Sequence, residues 1–305
     1  MALADFTRAL PANFRMTVAD VGSAGGLQSR WKPVRPSIEA MLFEPREGGS
    51  VRREGADTIY PVALGPEPGS VTLNITALAN MSSTLMPNAE LLSTFRKKGE
   101  DVALVDRLQM SVDTLDRICA QDGRIVDAIK VDTQGSELTI LAGAEQAMAT
   151  SVLLAEVELS FLPRYHDQAM AADVLPYMAE RGFDLIELHR PKRYRAKNRS
   201  NVVSPGPKGG QRSGRVAYAD GIFFLREQLL IDRMAGLPRQ EAEIAALKAM
   251  LSLLVYEKPD LAARVFDLAA DYLDGERRDR LSRWFKSLNR KSPLQALAGR
   301  FGRRD

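Results

Sequence analysis

Apolar residues in this chain fall in short runs, each closed by a carboxylate, a glycine or a proline. Residues 16–21 form one such run and enter the turn Gly22-Ser23-Ala24-Gly25-Gly26. Ile38 to Phe43 is a second, ending at Glu44-Pro45. Thr58 to Leu64 alternates like a third and stops at Gly65-Pro66. Ser70 to Ile75 reads as an extra β segment, and Leu108 to Leu115 as a strand with Asp113 near its end. Ile125 to Asp132 is the strongest buried strand; Val152 to Val157 leads into Glu158. Asp173 to Arg181 has helical spacing and meets Gly182. Phe183 to Leu188 and Val216 to Leu225 read as two further strands. Strands alternating with helical stretches predict an α/β fold with a mostly parallel sheet and helices on both faces.

The pattern changes twice. Between the last two strands, Pro191 to Gly214 holds Pro205-Gly206-Pro207, Gly209-Gly210 and a series of lysines and arginines over 192–212. It reads as a basic, flexible loop. After Arg226 the period becomes helical: Ile244, Leu247, Leu251 and Leu254 share one stripe, and Pro259 suits the first turn of a further helix. The expected organisation is a catalytic domain over 1–226 and a helical, basic C-terminal appendage over 227–305.

The 305 residues are 45% hydrophobic and 27% charged, an ordinary globular balance, and the net charge is only +3. A polycation is thereby excluded. A single cysteine, Cys119, excludes an intrachain disulfide and a cysteine-based metal cluster. It fits a reducing cytoplasm, as does an N-terminal stretch with no apolar run of signal-peptide length. No stretch approaches the about 18 apolar residues of a membrane span.

Two strand ends carry the candidate chemistry. In open α/β sheets, ligands bind at the carboxyl ends of the strands. The turn after Asp20-Val21 needs Gly22 for a sharp change of direction, and Gly25-Gly26 extend that freedom. Glu44 ends the next strand, near the spacing of roughly 20 residues at which a carboxylate binds ribose hydroxyls. The glycines match neither G-x-G-x-x-G nor G-x-x-x-x-G-K-[ST]. A nicotinamide or P-loop reading is therefore disfavoured, and a ribose ligand without a pyrophosphate, such as S-adenosylmethionine, fits better. The second strand end is Ile129-Lys130-Val131-Asp132, followed by a turn at Gly135 and a helix opening at Ser136-Glu137.

With Asp20-Val21-Gly22, Phe43-Glu44-Pro45, Val112-Asp113-Thr114-Leu115-Asp116, Ile129-Lys130-Val131-Asp132 and Gly135-x-Glu137-x-x-Ile140-Leu141-x-Gly143-Ala144 in this order, the chain resembles the FkbM-type methyltransferases. The resemblance covers roughly residues 16–190, and Tyr218-Ala219-Asp220-Gly221 extends it to the last strand. It implies a Rossmann-like class I methyltransferase fold, with a mostly parallel seven-stranded sheet and helices on both faces, and methyl transfer from S-adenosylmethionine to a hydroxyl of a carbohydrate or secondary metabolite. Carried over by match, Asp20, Gly22, Ser23 and Gly26 line the methionine end of the cofactor, Glu44 takes the ribose, and Asp113 joins the cofactor set. The chain departs from the family pattern at Ala24, usually Asn, and at Gln134, usually acidic. The resemblance also places 78–88 near the acceptor.

An alcohol is a poor nucleophile at neutral pH, so transfer to a hydroxyl calls for a base, typically contributing about 10²–10⁴ in rate. Asp132 is the best placed, and it could accept the hydroxyl proton or help bind a metal. Glu158 and His166 are the other candidates. Glu156 and Glu158 are expected on alternate faces after the next strand, so that only one can point into the cleft. Glu137 fits better as a carboxylate in the favourable field of a helix N-terminus. Asp132 and Glu158 would suit Mg²⁺, yet no spacing requires a metal and none is expected.

The expected partner is a small-molecule or glycan acceptor, which the basic loop suits if it is anionic. Residues 277–304 are basic, with Leu281, Trp284, Phe285 and Leu288 interleaved at helical spacing. They could lie on an anionic membrane surface, contact a partner, or form a local docking helix. No motif points to nucleic acid. Two rival readings remain: an NAD-dependent sugar-modifying enzyme, disfavoured by the missing G-x-G-x-x-G, and a non-catalytic adaptor that keeps the fold and binds through its tail. The sequence leaves the oligomeric state open.

Overall fold

The computed structural model describes residues 3–23, 25–203 and 213–289. They divide into two compact units. One takes in the described residues of 1–15, 29–38 and 230–305; the other takes in those of 16–28 and 39–229.

The larger unit holds eleven strands: β1 (Met16–Val21), β2 (Ile38–Phe43), β3 (Arg52–Glu54), β4 (Asp57–Tyr60), β5 (Ala63–Leu64), β6 (Gly69–Thr76), β7 (Leu104–Asp113), β8 (Ala128–Val131), β9 (Leu154–Ser160), β10 (Phe183–Tyr194) and β11 (Arg215–Leu225), with β2 starting at the boundary. Eight form one sheet in the order β10-β11-β9-β8-β1-β2-β4-β3. β8 is parallel to both β1 and β9, and β2 to β4. Every residue of β1, β8 and β9 is buried. Such two-sided burial is what unbroken apolar runs in parallel strands encode.

The sheet departs from the expected mostly parallel, seven-stranded one. It has eight strands and is mixed. β10 and β11 are joined as a hairpin, which needs no crossover, so β11 runs antiparallel to β9 and β10, and short β3 runs antiparallel to β4. The stretch expected as one strand over 58–64 is two. Pro61 has no N–H to give a ladder, and beyond it β5 leaves for a second sheet ordered β5-β7-β6. The strand expected near 108–115 belongs there as well, as β7, antiparallel to β6. The helix expected over 173–181 spans Ala171–Glu180; Asp173 Oδ2 accepts the Met170 N–H at 2.8 Å, and Gly182 follows at φ +82°.

In the smaller unit, helices Arg239–Val255, Pro259–Ala269 and Gly275–Leu288 pack with the N-terminal segment. The Trp284 ring meets Phe6 at 5.5 Å and Phe285 meets Phe266 at 5.4 Å, while Leu281 is fully buried. Arg277 pairs with Glu243 and donates to the Ala9 carbonyl at 2.8 Å. Of the apolar stripe over 277–288, Leu281 and Phe285 are buried inside this unit and Trp284 packs against Phe6, while Leu288 is exposed. Residues 290–304 of that stretch lie outside the described residues. No helix among the described residues is long and apolar enough to cross a membrane.

Gly22 shows how tightly the central turns meet. Its φ is +81°, and a Cβ there would lie 2.2 Å from the Asp132 carbonyl oxygen. Gly22→Ala is therefore expected to destabilise the fold by about 3 kcal/mol or more, measured by urea unfolding. A loss below ~0.5 kcal/mol would mean that the two turns can separate freely.

Candidate active site

Three strand ends converge. The Gly22 and Ser23 N–H groups donate to the Phe43 carbonyl at 3.1 and 3.4 Å, and the Asp132 N–H donates to Val21 O at 3.2 Å. The turn after β8 is held from within. The Glu137 carboxylate accepts the N–H groups of Thr133 and Gly135, each at 3.0 Å. That is the role expected of an acid at a helix start, and it leaves Glu137 to structure. Gln134 sits in the left-handed region at φ +60°, next to Gly135 at +117°. Ser83 Oγ donates to the Gln134 carbonyl at 2.6 Å, and Thr84 and Ser136 share a hydroxyl contact at 2.7 Å. The 78–88 segment is thus tied to this turn.

Above the turns opens a cavity of about 710 Å³, within the range of small-molecule and cofactor sites. Its wall includes Asp20, Gly22, Ser23, Gly26, Glu44, Asp132 and Glu158, seven of the nine residues predicted from sequence. Leu78, Met81, Ser82 and Thr84 join it from the 78–88 segment. Asp113 and His166 are not in the wall. Asp113 Oδ1 accepts the Thr114 N–H at 2.8 Å and lies 3.7 Å from Arg117, just ahead of the helix that Thr114 caps. His166 is exposed, and its N–H bonds Met86 O at 2.9 Å, which turns that loop residue outward.

One face of the sheet carries the polar chemistry. Asp20 pairs in register with Lys130, and Lys130 with Glu156. Glu156 and Glu158, two apart in a strand, share that face; Glu158 reaches the wall and Glu156 lies behind it. Lys130 Nζ is 3.3 Å from Asp20 Oδ1 and 3.7 Å from Asp132 Oδ2. Burial raises the Asp20 carboxyl and opposes charge on Lys130, but the surrounding carboxylates of Asp20, Asp132 and Glu156 leave the ammonium raised overall. The two shifts pull opposite ways on one pair. With three carboxylates facing one ammonium, Lys130 holds its proton.

Both carboxylate oxygens of Glu158 are engaged by neighbouring side chains. Arg164 ion-pairs with its Oε1, and Gln134 Nε2 donates to its Oε2 at 3.2 Å. Burial raises the Glu158 carboxyl and Arg164 opposes that. With donors on both oxygens, the ionised form is the one this setting holds. Arg164, 1% exposed, also donates to Gln134 Oε1 and Ser160 Oγ, each at 3.0 Å, and lies 4.3 Å from the centre of the Tyr218 ring. Gln134 links the two groups, since its Nε2 also donates to Asp132 Oδ1 at 3.0 Å. An acidic residue at 134 could not donate to two carboxylates.

Glu44 ends β2 with its side chain 7% exposed. Arg46 grips it with Nε at 2.9 Å, Nη2 at 2.8 Å and its backbone N–H at 3.1 Å. Burial raises the Glu44 carboxyl, and these Arg46 contacts more than offset that and hold it below its ordinary value. Oε1 accepts two bonds and Oε2 one, so Oε2 keeps capacity for a further hydroxyl. Beside it, Gly25 and Gly26 have φ of +91° and +86°, and a Cβ on either would meet nothing within 4 Å. This open, backbone-lined hollow next to a buried acid fits a ribose-bearing cofactor.

Asp220 was missed as a site residue. It lies in β11 opposite Glu158, lines the cavity, and has no hydrogen-bond partner among the described residues. Its carboxyl is pushed up to about 6, first by burial and then by Glu156 and Asp132. A single acid inside the apolar run Val216 to Leu225 was the available signal. Lys130, Arg46 and Arg164 were also passed over. Among the described residues, no three His, Cys, Asp or Glu side chains are grouped so that they could hold a metal.

The family model described as the methyltransferase FkbM domain matches residues 33–185, half of the chain. The chain belongs to the FkbM methyltransferase family. The match begins after the glycine turn and ends before most of the β10–β11 hairpin. The crystal structure of methyltransferase FkbM from Methylobacillus flagellatus KT is similar at 12% identity and a TM-score of 0.35. The similarity covers 69% of this chain and 43% of that one, so this chain spans less than half of its length. No curated protein matches.

Two substitutions separate scaffold from site. Glu137→Ala strips the partner from two turn N–H groups and is expected to lower stability by about 2–3 kcal/mol in urea unfolding; a neutral result would remove its anchoring role. Glu44→Ala is expected to weaken binding of S-adenosylhomocysteine roughly 10–100-fold by calorimetry with the melting temperature little changed. Unaltered affinity would rule Glu44 out of cofactor binding.

Proposed function

We propose that this FkbM-family chain is an S-adenosylmethionine-dependent O-methyltransferase acting on a hydroxyl of a small carbohydrate or secondary-metabolite acceptor. The observation that carries the reading is the joining, in one cavity, of the glycine hollow with Glu44 and of two carboxylates, Asp132 and Asp220. The hollow and Glu44 would hold the cofactor, whose sulfonium supplies an activated methyl group. Asp20 is already bound to Lys130, so its contribution is to fix that ammonium beneath the site.

The remaining work is positioning and proton removal. Holding two reactants in line can account for about 7–11 kcal/mol of a barrier. The two carboxylates divide the other task. Asp132, fixed by Gln134 and next to Lys130, orients the hydroxyl. Asp220, with a free carboxylate and an affinity for protons near neutrality, takes its proton. The network Gln134–Glu158–Arg164 keeps Asp132 in place.

Two measurements follow from Asp220. Methyl transfer from labelled S-adenosylmethionine to a panel of hydroxylated acceptors should fall as the pH drops through about 6, where Asp220 gains a proton. Asp220→Asn should lower kcat by about 10²–10⁴ and abolish that limb. A wild-type profile flat from pH 5 to 8 would take the proton-accepting role from Asp220. The ionised form is also the costly one in the fold. The stability linked to this group is therefore present at low pH and lost as the pH rises through about 6. Asp220→Asn should accordingly raise the melting temperature at pH 8 by about 2 °C, with a smaller gain at pH 5. A lower melting temperature at pH 8 would show that the charged group is structural.

A further inference from the structure

The charges in the cavity wall can be matched one by one. Arg46 is bound to Glu44, Lys98 to Asp101 at 2.6 Å, Lys130 to Asp20 and Arg164 to Glu158. Two cations of the wall remain, Arg190 and Lys192, and neither has an acidic partner among the described residues.

Their placement is built by the backbone. β10 pairs His189 with Asp220 and Lys192 with Tyr218, so three steps on one strand face two on the other. The extra residue makes a bulge, and Arg190 takes it up at φ +48°. That left-handed conformation is rare for a residue with a Cβ, and it persists only where surrounding structure imposes it. Bulges next to active sites re-aim side chains. Here the result is that Arg190 and Lys192, from one strand edge, both line the cavity.

We propose that Arg190 and Lys192 form an oxyanion subsite, and that the acceptor is a hydroxyl compound bearing a carboxylate or a phosphate. This rests on the methyltransferase reading of the cavity and narrows its substrate class. The guanidinium offers a planar fork of donors and the ammonium a point charge, a combination suited to either oxyanion. An anion seated there would place the rest of the acceptor along the wall toward Tyr218 and Asp220.

The test is calorimetry on the full chain. S-adenosylhomocysteine is titrated first, then glucose 6-phosphate, glucuronate, inorganic phosphate and glucose in its presence. The expected result is binding of at least one of the three anions at millimolar Kd or tighter, at least tenfold tighter than glucose and weakened by added salt. Comparison of glucuronate with glucose 6-phosphate tells a carboxylate acceptor from a phosphate one. Arg190→Gln with Lys192→Gln should reduce anion binding at least tenfold and leave the affinity for S-adenosylhomocysteine within twofold. Arg53→Gln, an exposed cation outside the wall, should change neither. Failure of all three anions to bind below about 10 mM would overturn the subsite, as would binding that survives the double substitution. Anion binding without S-adenosylhomocysteine binding would instead overturn the methyltransferase reading and leave the subsite standing.

Discussion

Lys130 is the group on which the centre of this unit depends. It lies in a strand buried along its whole length, where an isolated ammonium would be untenable. Its neighbours on either side are carboxylates, Asp20 in β1 and Glu156 in β9, with Asp132 beyond the strand end. Removing one partner of such a buried set leaves an uncompensated charge, which costs far more than the pair itself contributes. The register of three strands and the placing of Asp132 beside Lys130 are therefore fixed together. What looks from one side like the polar core of a sheet is, from the other, the floor of the cavity.

Several residues with left-handed backbone border that floor. Gly22, Gln134, Gly135 and Arg190 all adopt positive φ, and all line the cavity or its turns. Each is held by an identifiable contact or pairing: the Asp132 carbonyl against Gly22, Ser83 on the Gln134 carbonyl, Glu137 on Gly135, and the β10–β11 register around Arg190. A buried network joins Asp132 through Gln134 to Glu158 and Arg164, so the turn and the β9 end move as one body.

The sequence made the central strands and seven residues of the cavity wall legible because their signals are local. An apolar run ending in Asp or Glu marks a buried strand reaching the carboxyl edge, and a glycine cluster marks a turn. What was hidden is relational. Pro61 splits one expected strand between two sheets, and the hairpin between β10 and β11 makes the sheet mixed. Neither follows from periodicity. Asp113 and His166 were placed by motif and loop position, and they lie just ahead of a helix and at the surface. Asp220, Arg164 and Arg190 were missed because their importance lies in which strand they oppose. The basic stretch beginning at Lys192 was read as loop, although β10 continues to Tyr194; the rest of the expected basic loop over 204–212 lies outside the described residues.

The central claim is that the glycine hollow and Glu44 form a nucleoside-cofactor site. Isothermal titration of the full chain with S-adenosylhomocysteine tests it most directly. The account predicts one site per chain with micromolar affinity, about −8 kcal/mol. A folded sample that takes up no S-adenosylhomocysteine at millimolar concentration would contradict it.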